Sequence, residues 1–126
     1  PKFFPITCRP YPYDILTCIG ASKEQVLREV KRAYGSALST SDEQLDFKGK
    51  EGKFVFCLDN NLAILWLKRP PLDFSSIGTM SHEIFHAVVW CMDRCGVKYA
   101  EASEEAFAYM IESLTVQVLH NLKKKD

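Results

Sequence analysis

The sequence MSHEIFHAVVWCM, residues 80–92, is the stretch that decides how this chain folds. Apolar residues occupy nearly every position around the helix that this stretch predicts, which is typical of a helix buried among neighbouring elements. Into it are set His82, Glu83 and His86. An unpaired imidazole or carboxylate is costly in an apolar setting, so we expect a partner that satisfies these three groups.

Two helices are predicted in this part of the chain, one that contains residues 80–92 and one that follows it. Helix-breaking residues mark the ends of the first of them. Pro70 and Pro71 end the preceding segment, so the helix should begin between Phe74 and Met80 and close at Gly96. A last helix is predicted from about Ser103, a good N-cap residue, to about Leu122, where apolar residues recur at helical spacing. We expect the two helices to pack as a hairpin.

Strands are predicted earlier in the chain. Phe54–Leu58 and Leu62–Leu67 are apolar, β-prone runs separated by asparagines that tolerate a tight turn, which indicates an antiparallel hairpin. Because the second run does not alternate with polar residues, both of its faces should be covered. Phe3–Thr7 is a further short strand, and another is expected around Leu45–Phe47.

A first helix is marked by its capping residues. Ser22 and Gln25 form a capping box, Val26 and Val30 fall on one face, and Gly35 supplies the stop. The predicted fold class is therefore α+β: a small antiparallel sheet packed against an N-terminal helix, the central helix and a C-terminal helix.

The composition favours one domain spanning residues 1–126 and excludes some classes of partner. The 16 basic and 16 acidic residues cancel, so the charge gives no reason to expect nucleic acid or a membrane surface as a partner. No apolar stretch approaches the length of a membrane span. The chain has five cysteines, an odd number, and is long enough to fold without disulfides. This favours reduced thiols and a cytoplasmic location.

The spacing of the two histidines predicts a metal site. His82 and His86 are four residues apart and lie on one helical face, so both imidazoles can converge on one ion, with Glu83 one step around the helix. Zinc accepts imidazole nitrogen and carboxylate oxygen, and three protein ligands leave a fourth position open. The alternative is a pair of core histidines that hydrogen-bond to carbonyls or carboxylates, with Glu83 turned to solvent.

A third ligand has to come from elsewhere in the chain. The long metzincin motif would place glycine at position 89 and histidine at position 92, but Val89 and Met92 stand there. Glu104 and Glu105 begin the next predicted helix instead. The helix that carries His86 continues for about 15 Å beyond this residue. The connection to the next helix must therefore return over that length to bring a glutamate to His86.

With these residues the chain resembles the gluzincin group of zinc peptidases, in which a His-Glu-x-x-His helix is followed by a second helix with a glutamate ligand. It looks most like the small versions found in phage and prophage genes and in ImmA/IrrE-type regulatory peptidases. The matching segments are Ser81–Ala87 and Glu104–Tyr109.

The resemblance implies roles for individual residues. His82 and His86 would be zinc ligands, with Glu105 as the third; Glu104, above the more apolar helix face, is the competitor. Glu83 would be the general base toward a zinc-bound water that attacks a carbonyl. An oxyanion-stabilising group is not assigned by the motifs. Tyr109 is the candidate for it, and His120 lies far along the same helix.

Two other sets of residues have functional and structural interpretations. Cys91 and Cys95 could bind a metal, but a second site needs more donors than this stretch offers, so core packing is favoured. Ile64–Trp66 could line a groove beside the zinc, because the resembled peptidases add their substrate to a sheet edge as another strand. Core packing explains Ile64–Trp66 equally well.

The function expected from the sequence is a zinc-dependent hydrolase, a peptidase acting on a peptide or protein substrate. The alternative is a non-catalytic binding or structural module of phage or prophage origin that zinc stabilises. Neither the substrate nor the oligomeric state follows from the residues.

Overall fold

The computed structural model describes residues 1–35, 45–57 and 61–124. Within these ranges the chain forms four strands and three α-helices, which confirms the α+β class. The strands are β1 (Lys2–Thr7), β2 (Asp14–Ile19), β3 (Gly52–Phe56) and β4 (Ala63–Leu67). The helices are α1 (Lys23–Tyr34), α2 (Phe74–Arg94) and α3 (Glu104–Lys123), and a 3-10 turn at Glu101–Ser103 precedes α3.

The four strands form one mixed sheet in the order β1-β2-β4-β3. β1 pairs with β2 and β3 with β4 in antiparallel fashion, whereas β2 and β4 run parallel. The sequence predicted only antiparallel pairing, because β2 was not recognised as a strand. Parallel neighbours need a long crossover connection, and here α1 lies on the path between them.

The antiparallel pairing of the predicted hairpin is confirmed, with Phe54 opposite Leu65 and Phe56 opposite Ala63. Positions 59 and 60 of the predicted turn lie outside the described residues. Every residue of β4 is buried, as its unbroken apolar run indicated. Ala63, Leu65 and Leu67 pack into one hydrophobic cluster and Ile64 and Trp66 into another. The sheet therefore has a core on each face.

The helices are divided between these two faces. Val26 and Val30 of α1 pack with Ile64 and Trp66 on one side. The other side carries α2 and α3, whose buried residues share a cluster with β1, β2 and β4. The contributions of the two helices include Met80, Ile84, Val88, Leu114 and Val118. In this arrangement α2 lies against β3 and β4 on one flank and against α3 on another.

The ends of α1 follow the sequence prediction. Ser22 and Gln25 form the reciprocal capping box, and Gly35 ends the helix in the left-handed region at φ 72°. Ser103 does not cap α3 as expected, because its hydroxyl is engaged outside the helix. It donates to the carbonyl of Lys98 and accepts the backbone N–H of Ala100.

The strand expected around Leu45–Phe47 is absent from the described residues, which are irregular there. Leu45 and Phe47 are nevertheless buried, and the Phe47 ring stacks on the Trp66 indole with centroids 4.3 Å apart. Their apolar character reflects a loop that packs on the sheet. Packing of this kind leaves the same alternating pattern as a strand.

The expectation that α2 is buried all around is wrong. Phe85 is 53% exposed, and Phe74, Val89, His82 and His86 are exposed as well. The sheet and α3 cover part of the circumference of α2, and Tyr13 packs on Trp90 near its C-terminal end. Apolar residues are common on protein surfaces, so composition alone does not show which face is open. Across the described residues, no helix is both long enough and apolar enough to span a bilayer.

Asp73 caps the N-terminus of α2 and makes that helix sensitive to acid. Its carboxylate accepts the backbone N–H of Ser76 at 2.8 Å and the Ser76 hydroxyl at 2.7 Å, and both bonds hold the pKa of Asp73 below its ordinary value. A carboxyl group whose pKa is lower in the folded state than in the unfolded state stabilises the fold at pH values above its unfolded-state pKa. This contribution is lost as the pH falls through the folded-state pKa.

We therefore expect Asp73→Asn, which retains an acceptor but removes the charge, to lower the urea midpoint at neutral pH. The difference from the wild type should shrink as the pH falls from about 7 to about 3. Urea titrations across that range measure it. A difference that stays constant with pH would show that the carboxylate charge does not stabilise the cap.

Candidate metal centre

The two histidines of α2 point to a common position in space. His82 Nε2 and His86 Nε2 are 3.2 Å apart. Two imidazole nitrogens bound to one tetrahedral zinc ion, each at about 2.0–2.1 Å, are about 3.3 Å from each other. The same separation suits one N–H···N hydrogen bond, which is how the pair is satisfied without metal. The pair therefore fits two positions of a zinc coordination sphere.

Glu83 lies beside this pair but faces the protein. The residue is only 8% exposed, whereas the His82 side chain is 68% exposed. Glu83 Oε2 is 3.8 Å from His82 Nε2, so the carboxylate is close to the nitrogens without lying between them. A buried carboxylate needs a compensating positive charge or hydrogen bonds. A cation held by the two imidazoles would supply that charge.

Gly52, at the start of β3, allows α2 to approach the sheet at this point. A Cβ atom at Gly52 would stand 2.7 Å from Thr79 Cγ2, 3.1 Å from Glu83 Cγ and 3.3 Å from Leu67 Cδ2. The missing side chain therefore makes room for the stem of Glu83. No pattern in the sequence singled out Gly52, which lies just before the predicted strand Phe54–Leu58.

A groove of about 700 Å³ runs between β3 and α2 and extends to the face of α2 that carries His86. Glu83 and His86 line it together with residues of β3 and of the C-terminal half of α2. Of the two interpretations of Ile64–Trp66, the structure confirms core packing, because these residues are buried in β4 and do not line this groove. Trp66 Nε1 donates to the carbonyl of Ala21 at 2.8 Å, on the α1 side of the sheet.

The acidic residues predicted as third ligand lie in the first turn of α3. Both Glu104 and Glu105 are exposed. Within residues 1–35, 45–57 and 61–124, no three His, Cys, Asp or Glu side chains are grouped so as to hold a metal ion. The structure thus brings His82 and His86 together but does not bring Glu105 to them. Glu105 stays a prediction, as does its competitor Glu104.

Tyr109 and His120 both lie on α3. Tyr109 follows Glu105 by one helical turn and is largely exposed, so the two side chains share a helix face. His120 is exposed in the last turn. The role of Tyr109 in stabilising an oxyanion stays a prediction.

Four of the five cysteines are buried, and none of the five takes part in a disulfide. Core packing, expected for Cys91 and Cys95, is confirmed for Cys91, which is fully buried, whereas Cys95 is only half-buried. A hydrogen bond with Cys8 and, to a smaller extent, burial raise the pKa of the Cys91 thiol. Burial raises the pKa of the Cys18 thiol to about 12. Thiols with raised pKa values are poor nucleophiles and poor metal ligands at neutral pH.

Comparison of the chain with family models, with curated proteins and with solved structures gives no match. The resemblance to gluzincins therefore rests on the two motifs alone.

The role of Gly52 can be tested against a second glycine. We expect Gly52→Ala to destabilise the fold by about 1–3 kcal/mol, the usual range for overpacking, and to displace Glu83. Gly78→Ala is the matched control, because a Cβ there meets nothing within 4 Å and alanine favours the exposed helix by about 1 kcal/mol. Urea unfolding of both variants measures the contrast. Equal stability of the two would contradict the close approach at Gly52.

Proposed function

We propose that this chain is a zinc-dependent hydrolase that cleaves peptide bonds, with His82 and His86 as metal ligands and Glu83 as general base. The observation that carries the proposal is the 3.2 Å separation of the two Nε2 atoms beside a buried carboxylate. Glu105 is proposed as the third ligand on the resemblance to gluzincins. The same resemblance supports a relation to the small phage and prophage peptidases.

The residues of the site divide the chemical work. A bound zinc ion supplies a Lewis acid that polarises a carbonyl and lowers the pKa of water. Glu83 accepts a proton from the attacking water and passes it to the amine that leaves when the C–N bond breaks. Glu83 is placed for this role by the 3.8 Å distance between its Oε2 atom and His82 Nε2. Water and the amide are consumed, and a carboxylic acid and an amine are formed.

A peptide is the substrate class that the surroundings favour. β3 pairs with β4 on one side only within the described sheet, so its other edge is available to an extended chain. Backbone pairing at a sheet edge recognises any extended peptide, and side-chain pockets then provide selectivity. The groove lies between that edge and the proposed ligands. We place this activity in the cytoplasm, because five cysteines without a disulfide suit a reducing compartment.

The proposal is tested by incubating zinc-loaded protein with a mixture of unstructured peptides and analysing the products by mass spectrometry. We expect new peptide termini that disappear when a chelator removes the metal and return when zinc is restored. Retention of zinc without any cleavage would contradict the hydrolase. It would instead favour a binding or structural module that zinc stabilises, the second function considered for this fold.

A further inference from the structure

The groove beyond the proposed metal ligands has an aromatic floor. Trp90 is at its centre, only 6% exposed, and its ring lies 5.8 Å from that of Phe54 and 6.3 Å from that of Phe56, centroid to centroid. Phe56 and Val89 are partly exposed and line the same groove. A large apolar side chain placed here would remove apolar surface from water on both partners.

Positive charges stand around this floor. Lys50 and Arg94 line the groove, whereas Asp93 is the only carboxylate among its lining residues besides Glu83. Because Glu83 is assigned to the metal centre, the rest of the groove has an excess of positive charge. This charge balance is complementary to an acidic group on the occupant.

Two N–H groups of residues that line the groove also favour an occupant with an acidic group. Among the described residues, Trp90 Nε1 and Arg94 Nε are buried without a hydrogen-bond acceptor. The Arg94 guanidinium is held over the rings of Trp90 and Tyr13, 5.5 and 5.7 Å from their centroids. Buried donors are seldom left unpaired, and a carboxylate offers acceptors that suit a guanidinium.

We propose that this groove selects peptides in which an acidic side chain adjoins a large apolar one. The apolar side chain packs on Trp90, Phe54 and Phe56, and the carboxylate pairs with Arg94 and Lys50. This selectivity deepens the proposed peptidase function. It rests on that function for the orientation of the peptide in the groove. A nucleotide would also suit aromatic rings and cations, but the open edge of β3 favours a peptide backbone.

The test measures binding separately from cleavage. Four fluorescein-labelled, unstructured decapeptides carry Phe-Glu, Phe-Gln, Phe-Lys or Ala-Glu at their centre, and anisotropy reports their affinity for zinc-loaded Glu83→Gln protein. We expect Phe-Glu to bind most tightly. Replacement by Phe-Gln should weaken binding about fivefold, as for a partly exposed charge pair, and Phe-Lys more than that. Ala-Glu should bind about tenfold more weakly.

Two groove variants assign the preference to particular residues. Lys50→Glu, at an exposed position, should shift the preference from Phe-Glu toward Phe-Lys, and Arg94→Gln should reduce the Glu-over-Gln ratio to about one. Arg28→Gln is the matched control, because it removes an exposed arginine from α1, on the opposite face of the sheet. If Arg94→Gln does not fold, Lys50→Glu alone decides the question.

The outcomes distinguish this inference from the proposed function. Equal affinity for the four peptides, no binding of any of them, or an unchanged preference in Lys50→Glu would overturn the selectivity. If ATP displaces none of the labelled peptides, the result supports a peptide as the occupant of the groove. If ATP binds more tightly than the Phe-Glu peptide, the result overturns the proposed occupant. If Phe-Glu binds selectively but the wild-type zinc protein leaves it intact, the selectivity stands and the hydrolase fails.

Discussion

Glu83→Gln is expected to lower kcat/KM by about 100- to 10,000-fold while zinc stays bound. That range is what a positioned general base contributes to a hydrolytic reaction. Glutamine has the same shape as glutamate, so it fits the space beside Gly52, but it cannot accept the proton. The measurement is the rate of cleavage of a peptide identified in the product analysis, together with the zinc content of the variant.

The matched control for this prediction is Glu112→Gln. Glu112 is an exposed glutamate of α3, and its substitution makes the same chemical change away from α2. We expect this control to cleave at the wild-type rate. Wild-type cleavage by Glu83→Gln would remove Glu83 from the mechanism, even if the metal site were intact.

Ile84→Ala is expected to destabilise the protein by about 2–5 kcal/mol, the range for emptying a buried isoleucine site. Ile84 is fully buried in the cluster that joins α2 to the sheet. Its neighbour Phe85 is the larger residue but is 53% exposed, so Phe85→Ala should cost much less. Urea unfolding of the two variants compares positions that differ by one step along the helix.

This pair of variants tests which face of α2 carries the histidines. His82, Phe85 and His86 are all exposed, and Ile84 is not. A larger loss of stability for Phe85→Ala than for Ile84→Ala would mean that α2 is rotated from the orientation described here. His86 would then not line the groove.

The sequence predicted the elements whose ends carry local signals. The capping box at Ser22 and Gln25, the stop at Gly35 and the apolar run of β4 are each determined by a few neighbouring residues. β2 was missed although its antiparallel partner β1 is adjacent in the chain, and its parallel pairing with β4 joins segments that are far apart in sequence. Loop packing at Leu45 and Phe47 looked like a strand because burial, not backbone pairing, produces the apolar pattern.

At the candidate site, local spacing was again informative and tertiary context was not. The four-residue interval predicted that His82 and His86 converge, and their Nε2 atoms do. The burial argument was wrong for both imidazoles and right for Glu83, because exposure depends on which elements cover α2. Gly52 and the groove beside β3 depend on the approach of distant segments, which no local pattern encodes.

Binding of one cation by His82 and His86 is the central claim, and zinc content measures it most directly. Protein purified without added metal, loaded with zinc and dialysed is analysed for metal per chain. We expect about one zinc ion in the wild type and in Glu83→Gln, and almost none in His82→Ala or His86→Ala. A wild-type protein that retains no zinc, or a His86→Ala variant that retains as much as the wild type, would contradict the account.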